Sequence, residues 1–217
     1  MRPVSIRVCL LTAMVLGGAA TAGAQYPESK YPVRAVPGWA RQVTWTKLGE
    51  DPSGDGRRPA APDGKALWFY HDVASDTLWF RLEVFGVEDS VSVAASVSFD
   101  LDADQSTGLN WYGTNRAFTF DKMISIGLLR REGDWHIGYN GFSTAEGVRR
   151  FQYLTEKLGT IAFIVDPVTH AYLVGVARRD LGENIRKVNV IATVGQNAVW
   201  NDDLINTGFA TLEFKVP

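Results

Sequence analysis

Residues 91–104 read VSVAASVSFDLDAD, and this stretch decides the fold. From Val91 to Phe99, apolar and small polar side chains alternate along the chain. A period of two is typical of a strand that buries one face and leaves the other less covered. The alternation leads directly into aspartates at every second position: Asp100, Asp102 and Asp104. The stretch therefore predicts a central strand that ends in a group of carboxylates.

The acidic end of this strand is a candidate metal site. Side chains two residues apart on a strand share a face, so the three carboxylates can converge. Carboxylates at close range repel one another unless a cation lies among them, and hard oxygen ligands suit Ca²⁺ better than a transition metal. The stretch does not fit an EF-hand, because Gln105 replaces the required glycine and Trp111 the bidentate glutamate. A solvated acidic turn without an ion is the alternative interpretation.

Residues 1–24 predict a secretory signal peptide. Arg2 and Arg7 give it a positive start, a short apolar stretch follows, and Ala22-Gly-Ala24 offers a small-residue cleavage site. We expect the mature chain to begin at Gln25 and to be secreted or periplasmic. The apolar stretch is too short to span a bilayer, and no later segment approaches the roughly 20 apolar residues of a membrane helix.

Composition excludes several kinds of chemistry. The single cysteine, Cys9, lies in the signal peptide, so the mature chain is expected to have neither disulfides nor a thiol nucleophile. Without Arg2 and Arg7, 20 basic residues face 24 acidic ones, a formal net charge of −4. Nucleic-acid binding needs clustered Lys and Arg for the phosphates, so we expect no nucleic-acid partner.

Strand patterns continue along the rest of the chain. A proline-containing, extended lead-in over residues 25–41 precedes a domain expected to span residues 42–217. Residues 66–71 and 77–84 predict a hairpin, because both alternate and a polar turn separates them. About ten short runs of this kind, without a sustained helical period, favour the all-β class and a single antiparallel β-sandwich of immunoglobulin-like or jelly-roll style.

Other segments carry local expectations. Further strands are expected over residues 42–48, 159–165, 171–177, 188–194 and 208–216. Residues 144–156 fit either a short helix or a strand. The sequence Arg179-Asp-Leu-Gly182 predicts a break between strands.

Five stretches resemble the family 9 carbohydrate-binding modules and the wider DOMON-like set of secreted β-sandwiches. They are DPSGDG (51–56), DTLWFR (76–81), FDLDADQSTG (99–108), DKMISI (121–126) and NDDLINTG (201–208). The resemblance implies a non-catalytic sandwich with structural calcium and, in some members, a sugar held between aromatic rings. It places Asp100, Asp102 and Asp121 near the metal, and the two-residue spacing adds Asp104.

Aromatic residues are the candidates for ligand contact. Sugar binding needs exposed flat rings, against which C–H groups pack, together with polar groups for the hydroxyls. The candidates of this kind are Trp111, Tyr112, Trp135 and Trp200. Trp111 and Tyr112 belong to a predicted loop, where ligand contacts are common. Packing at the core or its rim is the alternative, and it fits Trp68 and Trp79 better.

Catalytic and redox motifs are sparse. The three histidines lack zinc-site spacing, and the sequence contains no Gly-x-Ser-x-Gly element. A glycosidase carboxylate pair could be drawn from Glu83, Asp121 and Asp134, although a metal explains the acidic group better. A haem module of the DOMON type would need axial ligands such as Met123 with His136 or His170.

The sequence therefore predicts a secreted, non-enzymatic β-sandwich that binds carbohydrate. We expect Ca²⁺ to be its cofactor, held by Asp100, Asp102, Asp104 and Asp121, and we expect no membrane span. The alternatives are an envelope structural or protein-interaction module with an envelope protein as partner, a haem or redox module, and a glycoside hydrolase.

Overall fold

Two antiparallel sheets form the fold. The computed structural model of the protein describes residues 36–56, 61–86, 92–110, 113, 115–131, 134–144, 152–153, 162–166, 168–195 and 201–214. The predicted signal peptide lies outside the described residues. Within them strand dominates and helix is scarce, so the predicted all-β class and antiparallel sandwich are confirmed.

Fourteen strands are present in the described part of the chain. They are β1 (Thr46–Glu50), β2 (Gly64–Asp72), β3 (Thr77–Val84), β4 (Ser92–Asp100), β5 (Leu109–Asn110), β6 (Thr119–Phe120), β7 (Lys122–Arg131), β8 (Asp134–Thr144), β9 (Gln152–Tyr153), β10 (Ala162–Asp166), β11 (Ala171–Ala177), β12 (Lys187–Gly195), β13 (Asn201–Asp203) and β14 (Ala210–Glu213).

The strands are divided between two main sheets and a small ribbon. The five-stranded sheet has the order β1-β2-β3-β11-β10. The seven-stranded sheet has the order β13-β12-β4-β7-β8-β9, and β14 also pairs with β12. The strands β5 and β6 pair with each other in a separate two-stranded ribbon. The predicted central strand is thus β4, which lies between β12 and β7 inside the larger sheet.

The core lies between the two main sheets, and the alternation in sequence explains which residues enter it. Along β3 every second side chain is buried: Leu78, Phe80, Leu82 and Val84. The β4 side chains Val97 and Phe99 are fully buried as well. The rings of Phe80 and Phe99 meet across the sheets with centroids 5.5 Å apart. Burying each such side chain contributes about 1.5–3 kcal/mol, so this layer is the main stabilising element.

The beginning of the domain differs from the prediction. Strand β1 starts at Thr46 and not at residue 42, and residues Gly38–Arg41, at the end of the predicted lead-in, form a 3₁₀ turn. The turn carries Trp39 onto Trp79, with ring centroids 4.8 Å apart. The first segment of the domain therefore packs across the outer face of the five-stranded sheet.

Helical structure is limited to short pieces. The predicted break at residues 179–182 is a one-turn helix, α1 (Arg178–Leu181). Lys122 Nζ donates hydrogen bonds of 2.8 Å to the carbonyl oxygens of Asp180 and Leu181 at its end. The described pieces of residues 144–156 are strand. A helix with the length and apolar composition needed to cross a bilayer is not found among the described residues.

Candidate functional site

The end of β4 brings three of the four predicted aspartates together. Asp100 is the last residue of β4, and Asp121 immediately precedes β7, the strand that pairs with β4. The Asp121 N–H donates to the carbonyl oxygen of Phe99 at 2.9 Å, which fixes Asp121 beside the strand end. One carboxylate oxygen from each of Asp100, Asp102 and Asp121 lies within 4.8 Å of the others. We call these three residues the β4 cluster.

Asp100 is the buried member of the β4 cluster, with 1% of its surface exposed. Its Oδ2 accepts hydrogen bonds from Asn189 Nδ2 at 2.8 Å and from the Gln105 side-chain amide. Its Oδ1 is buried and accepts no hydrogen bond. Burial raises the pKa of Asp100, and the adjacent Asp102 carboxylate raises it further, against the hydrogen bonds from Asn189 and Gln105. The unpartnered oxygen marks a place where a positive charge would be favourable.

The other two members are oriented by nearby donors. Asp102 accepts hydrogen bonds from the Asp104 N–H at 2.9 Å and from Thr107 Oγ1 at 2.9 Å. The bond from the Asp104 N–H is the main reason that the pKa of Asp102 is lowered. Asp121 Oδ2 accepts from the Leu101 N–H at 2.8 Å. The turn therefore holds these carboxylates in place beside Asp100.

Asp104, the fourth predicted ligand, lies outside the β4 cluster. Its Oδ1 accepts hydrogen bonds from the N–H and Oγ of Ser106, at 2.9 and 2.6 Å. The strand ends at Asp100, and Ala103 has a φ of 58°, so the two-residue period does not extend to Asp104. The turn therefore brings three of the four predicted aspartates together and leaves Asp104 apart.

A second acidic group, which the sequence analysis missed, lies between the two sheets. One carboxylate oxygen from each of Asp51, Asp55 and Asp202 lies within 4.8 Å of the others. Asp51 directly follows β1, and Asp202 is in β13. Both are 5% exposed, whereas Asp55 is exposed. We call Asp51, Asp55 and Asp202 the β13 cluster. The sequence carried one signal for it, because residues 51–56 and 201–208 both belong to the stretches that resemble the carbohydrate-binding modules.

Neutral donors surround the β13 cluster. The Asn206 side-chain amide donates to Asp51 Oδ1 and, at 3.0 Å, to Asp55 Oδ2. The Gly64 N–H donates to Asp202 Oδ2 at 2.7 Å. Asp51 Oδ2 is buried and accepts no hydrogen bond.

Charge crowding in the β13 cluster shifts its acid–base equilibria. Burial, followed by repulsion from Asp202 and Asp55, raises the pKa of Asp51 to about 8. Burial and the charge of Asp55 likewise raise the pKa of Asp202 to about 6, against the hydrogen bond from Gly64. The cluster therefore favours either protons or a cation near neutral pH.

A groove on the outer face of the five-stranded sheet contains an aromatic ring. Trp68 on β2 lies in it, half-buried, beside Phe85, which is 44% exposed. Trp68 Nε1 donates to Glu83 Oε2 at 2.8 Å, and Lys65 Nζ donates to Glu83 Oε1 at 2.7 Å. Lys47 Nζ lies 5.0 Å from the centre of the Trp68 ring. The groove thus combines a flat apolar ring with charged groups of both signs.

Three of the four aromatic residues predicted for ligand contact lie outside the described residues. They are Trp111, Tyr112 and Trp200, and for Trp135 only its position in β8 is described. Trp79 packs against Trp39, as the packing alternative predicted.

The residues named for haem or glycosidase chemistry belong to several elements of the fold. Met123 is buried in the core, and His170 lies in the turn between β10 and β11. The side chains of His136 and Asp134 lie outside the described part. Glu83 pairs with Lys65 and Trp68.

Comparison of the chain with protein-family models, curated proteins and solved structures gave no match. The class of the protein, an all-β antiparallel sandwich, therefore follows from its own architecture. Two acidic clusters and an aromatic groove are the features from which a function can be inferred.

Proposed function

We propose that the protein is a non-catalytic carbohydrate-binding module whose sandwich is stabilised by Ca²⁺ at the β4 cluster. The observation that carries this proposal is the buried Asp100 Oδ1, which accepts no hydrogen bond and lies beside the carboxylates of Asp102 and Asp121. Three anionic groups repel one another at this range, and a cation would cancel that repulsion and give Asp100 Oδ1 a partner.

The donor set fits calcium. Ca²⁺ takes six to eight oxygen ligands at about 2.3–2.6 Å, from carboxylates, carbonyls and water, in flexible geometry. The β4 cluster supplies carboxylates, and the exposed side of Asp102 leaves room for water. A solvated, ion-free turn explains Asp102 but not Asp100, because Asp100 is almost fully shielded from water. The Ca²⁺ would fix the turn to the ends of β4 and β7.

Calcium is expected to raise the melting temperature of the EDTA-treated protein. A ligand at a free concentration 100 times its Kd adds about 2.7 kcal/mol to the stability, or roughly 5–11 °C for a domain of this size. Asp102→Asn should lose a large part of this increase, because it removes a charge while keeping an acceptor for the turn. Thermal unfolding followed by circular dichroism measures both effects.

Asp104→Asn is the matched control for Asp102→Asn. It removes a carboxylate two residues away that bonds only Ser106 among the described residues, so the calcium response should remain complete. The same calcium response in wild type and Asp102→Asn would contradict an ion at the β4 cluster.

The carbohydrate part of the proposal is supported by the outer groove. Sugars pack C–H groups against aromatic rings, and their hydroxyls bond to charged and amide groups. Trp68 offers such a ring, with Lys47, Lys65 and Glu83 around it. Lys47 and Lys65 are exposed, so they could exchange their contacts for sugar hydroxyls at little cost, because surface ion pairs contribute only about 0–1 kcal/mol.

Trp68→Ala is expected to weaken binding to a responsive oligosaccharide at least tenfold, a loss of about 1.4 kcal/mol. The measurement is a panel of glucan, xylan, mannan and chitin oligosaccharides tested by calorimetry in the presence of Ca²⁺. Val73→Ala, at the exposed tip of the β2–β3 turn, is the control. Weaker oligosaccharide binding in Trp111→Ala alone would place the sugar site at the loop predicted from the sequence and not at the groove. Failure of the whole panel to bind would contradict the carbohydrate proposal.

A further inference from the structure

We propose that the β13 cluster is a second site for a divalent cation, with Asp51, Asp55 and Asp202 as carboxylate ligands. The occupant is a hard cation of the calcium type, because every ligand is oxygen. This site is separate from the β4 cluster and shares no residue with it.

A buried oxygen without a partner points into the site. Asp51 is 95% buried, and its Oδ2 accepts no hydrogen bond. A β-carbon added at Gly64 would lie 3.2 Å from Asp51 Oδ2 and 3.1 Å from Asp202 Oδ2. The two oxygens therefore border the same point beside Gly64. Leu204 Cδ2 lies 2.8 Å from that point, so a side chain at residue 64 would not fit there. A cation within about 2.3–2.6 Å of both would satisfy Asp51 Oδ2.

The negative charge of the cluster is not balanced by the described residues. The hydrogen-bond donors to Asp51, Asp55 and Asp202 are the neutral groups of Asn206 and Gly64. None of the ion pairs found among the described residues includes these three carboxylates. A neutral donor orients a carboxylate without cancelling its charge, so the charge is balanced either by protons or by a cation, and a bound cation would displace the protons.

The surrounding loop is already organised. Asp63 Oδ2 accepts a hydrogen bond from the Gly54 N–H at 2.9 Å, and Asp63 Oδ1 accepts from the Gly56 N–H at 3.3 Å. These bonds fix the loop that carries Asp55 to Asp63, the residue before Gly64. Preorganisation of this kind reduces the entropy that binding must overcome.

The position of the site gives the ion a structural role. Asp51 follows β1 of the five-stranded sheet, whereas Asp202 belongs to β13 of the seven-stranded sheet. The two layers are in close contact here, since a β-carbon at Gly49 would lie 2.6 Å from Ile205 Cγ1. An ion bound to both aspartates would therefore join the two sheets at one edge of the sandwich.

Counting bound calcium tests the proposal. The mature protein, dialysed against Ca²⁺ and analysed by elemental mass spectrometry, is expected to hold two ions per chain. Asp55→Asn should hold one ion or bind the second at least tenfold more weakly. Its side chain is exposed, so this variant leaves the core intact. Asp202→Asn, which keeps the acceptor for Gly64, should give the same result.

The two sites are distinguished by variants. Asp102→Asn should also hold one ion, and Asp55→Asn combined with Asp102→Asn should hold none. Loss of an ion only in Asp102→Asn would support the β4 cluster and overturn the second site, while loss only in Asp55→Asn would do the reverse. Arg57 and Arg58 lie outside the described residues. The double variant Arg57→Gln/Arg58→Gln tests whether these arginines balance the charge of the cluster in place of an ion. An ion held at Asp55 by that variant, but not by wild type, would overturn the proposal.

Discussion

Phe80→Ala is expected to lower the free energy of unfolding by about 3–5 kcal/mol, the cost of removing a large aromatic side chain from a core. Phe80 is fully buried on β3. Its ring lies 5.4 Å from the Phe69 ring and 5.5 Å from the Phe99 ring, measured between centroids. The variant would leave a cavity between the sheets and forfeit both aromatic contacts. Urea denaturation followed by tryptophan fluorescence gives the change directly, and the melting temperature should fall by roughly 6–20 °C.

Phe85→Ala is the control for Phe80→Ala. The chemical change is the same, but Phe85 lies just beyond β3 and is 44% exposed. Its loss should cost less than about 1 kcal/mol, because the ring is only partly removed from water. Comparable destabilisation by the two substitutions would show that the space around Phe80 is not the centre of the core.

In EDTA, the stability of the protein should fall as the pH rises from about 5 to about 8.5. Burial and neighbouring carboxylates raise the pKa of Asp51 from 3.8 to about 8 and that of Asp202 to about 6. Over this range the folded state therefore holds protons that the unfolded chain has released, and the extra protons favour folding at the lower pH. One pKa unit corresponds to about 1.4 kcal/mol, and we expect a total fall of about 1–3 kcal/mol after solvent screening.

Urea denaturation at several pH values measures this fall. Asp51→Asn should flatten the profile, because the group with the largest upward shift no longer titrates. Asp76→Asn is the control. Hydrogen bonding from Arg178 lowers the pKa of Asp76, so the contribution of Asp76 to stability is complete above about pH 4 and is lost only in stronger acid. This variant should therefore leave the fall between about pH 5 and 8.5 unchanged. Excess Ca²⁺ should reduce the fall in stability with rising pH, because the bound ion takes the place of the protons. A profile in EDTA that is flat, or that rises with pH, would contradict the expectation.

Elements defined by neighbouring residues could be predicted from the sequence. The strand β3 was found with its bounds, because one buried face gives a clean period of two. The strand β4 was found for the same reason, and its acidic end located Asp100 and Asp102. The separation of Asp104 from the other aspartates has a local cause: the argument from a shared face holds only within the strand, and the chain turns at Ala103.

Features that depend on distant segments were not predictable in the same way. Asp202 joins Asp51 only after β13 has paired with β12 at the edge of the larger sheet. Trp68 and Trp79 both lie in strands with alternating side chains, so the local sequence does not distinguish them. They differ in whether another segment of the chain packs over the ring. Trp39 packs over Trp79, whereas Trp68 lies in a groove. Such coverage is a property of tertiary packing and leaves no signal in local periodicity.

The hydrogen bond from Asn206 to Asp51 joins residues 155 positions apart. Bringing such distant segments together costs chain entropy, and topologies rich in such contacts fold slowly. The contact also needs β12 and β13 to be assembled, so we expect it to form late in folding. Interactions that form after the rate-limiting step slow unfolding and leave the folding rate almost unchanged. We therefore expect this junction between the beginning and the end of the domain to lengthen the lifetime of each folded molecule.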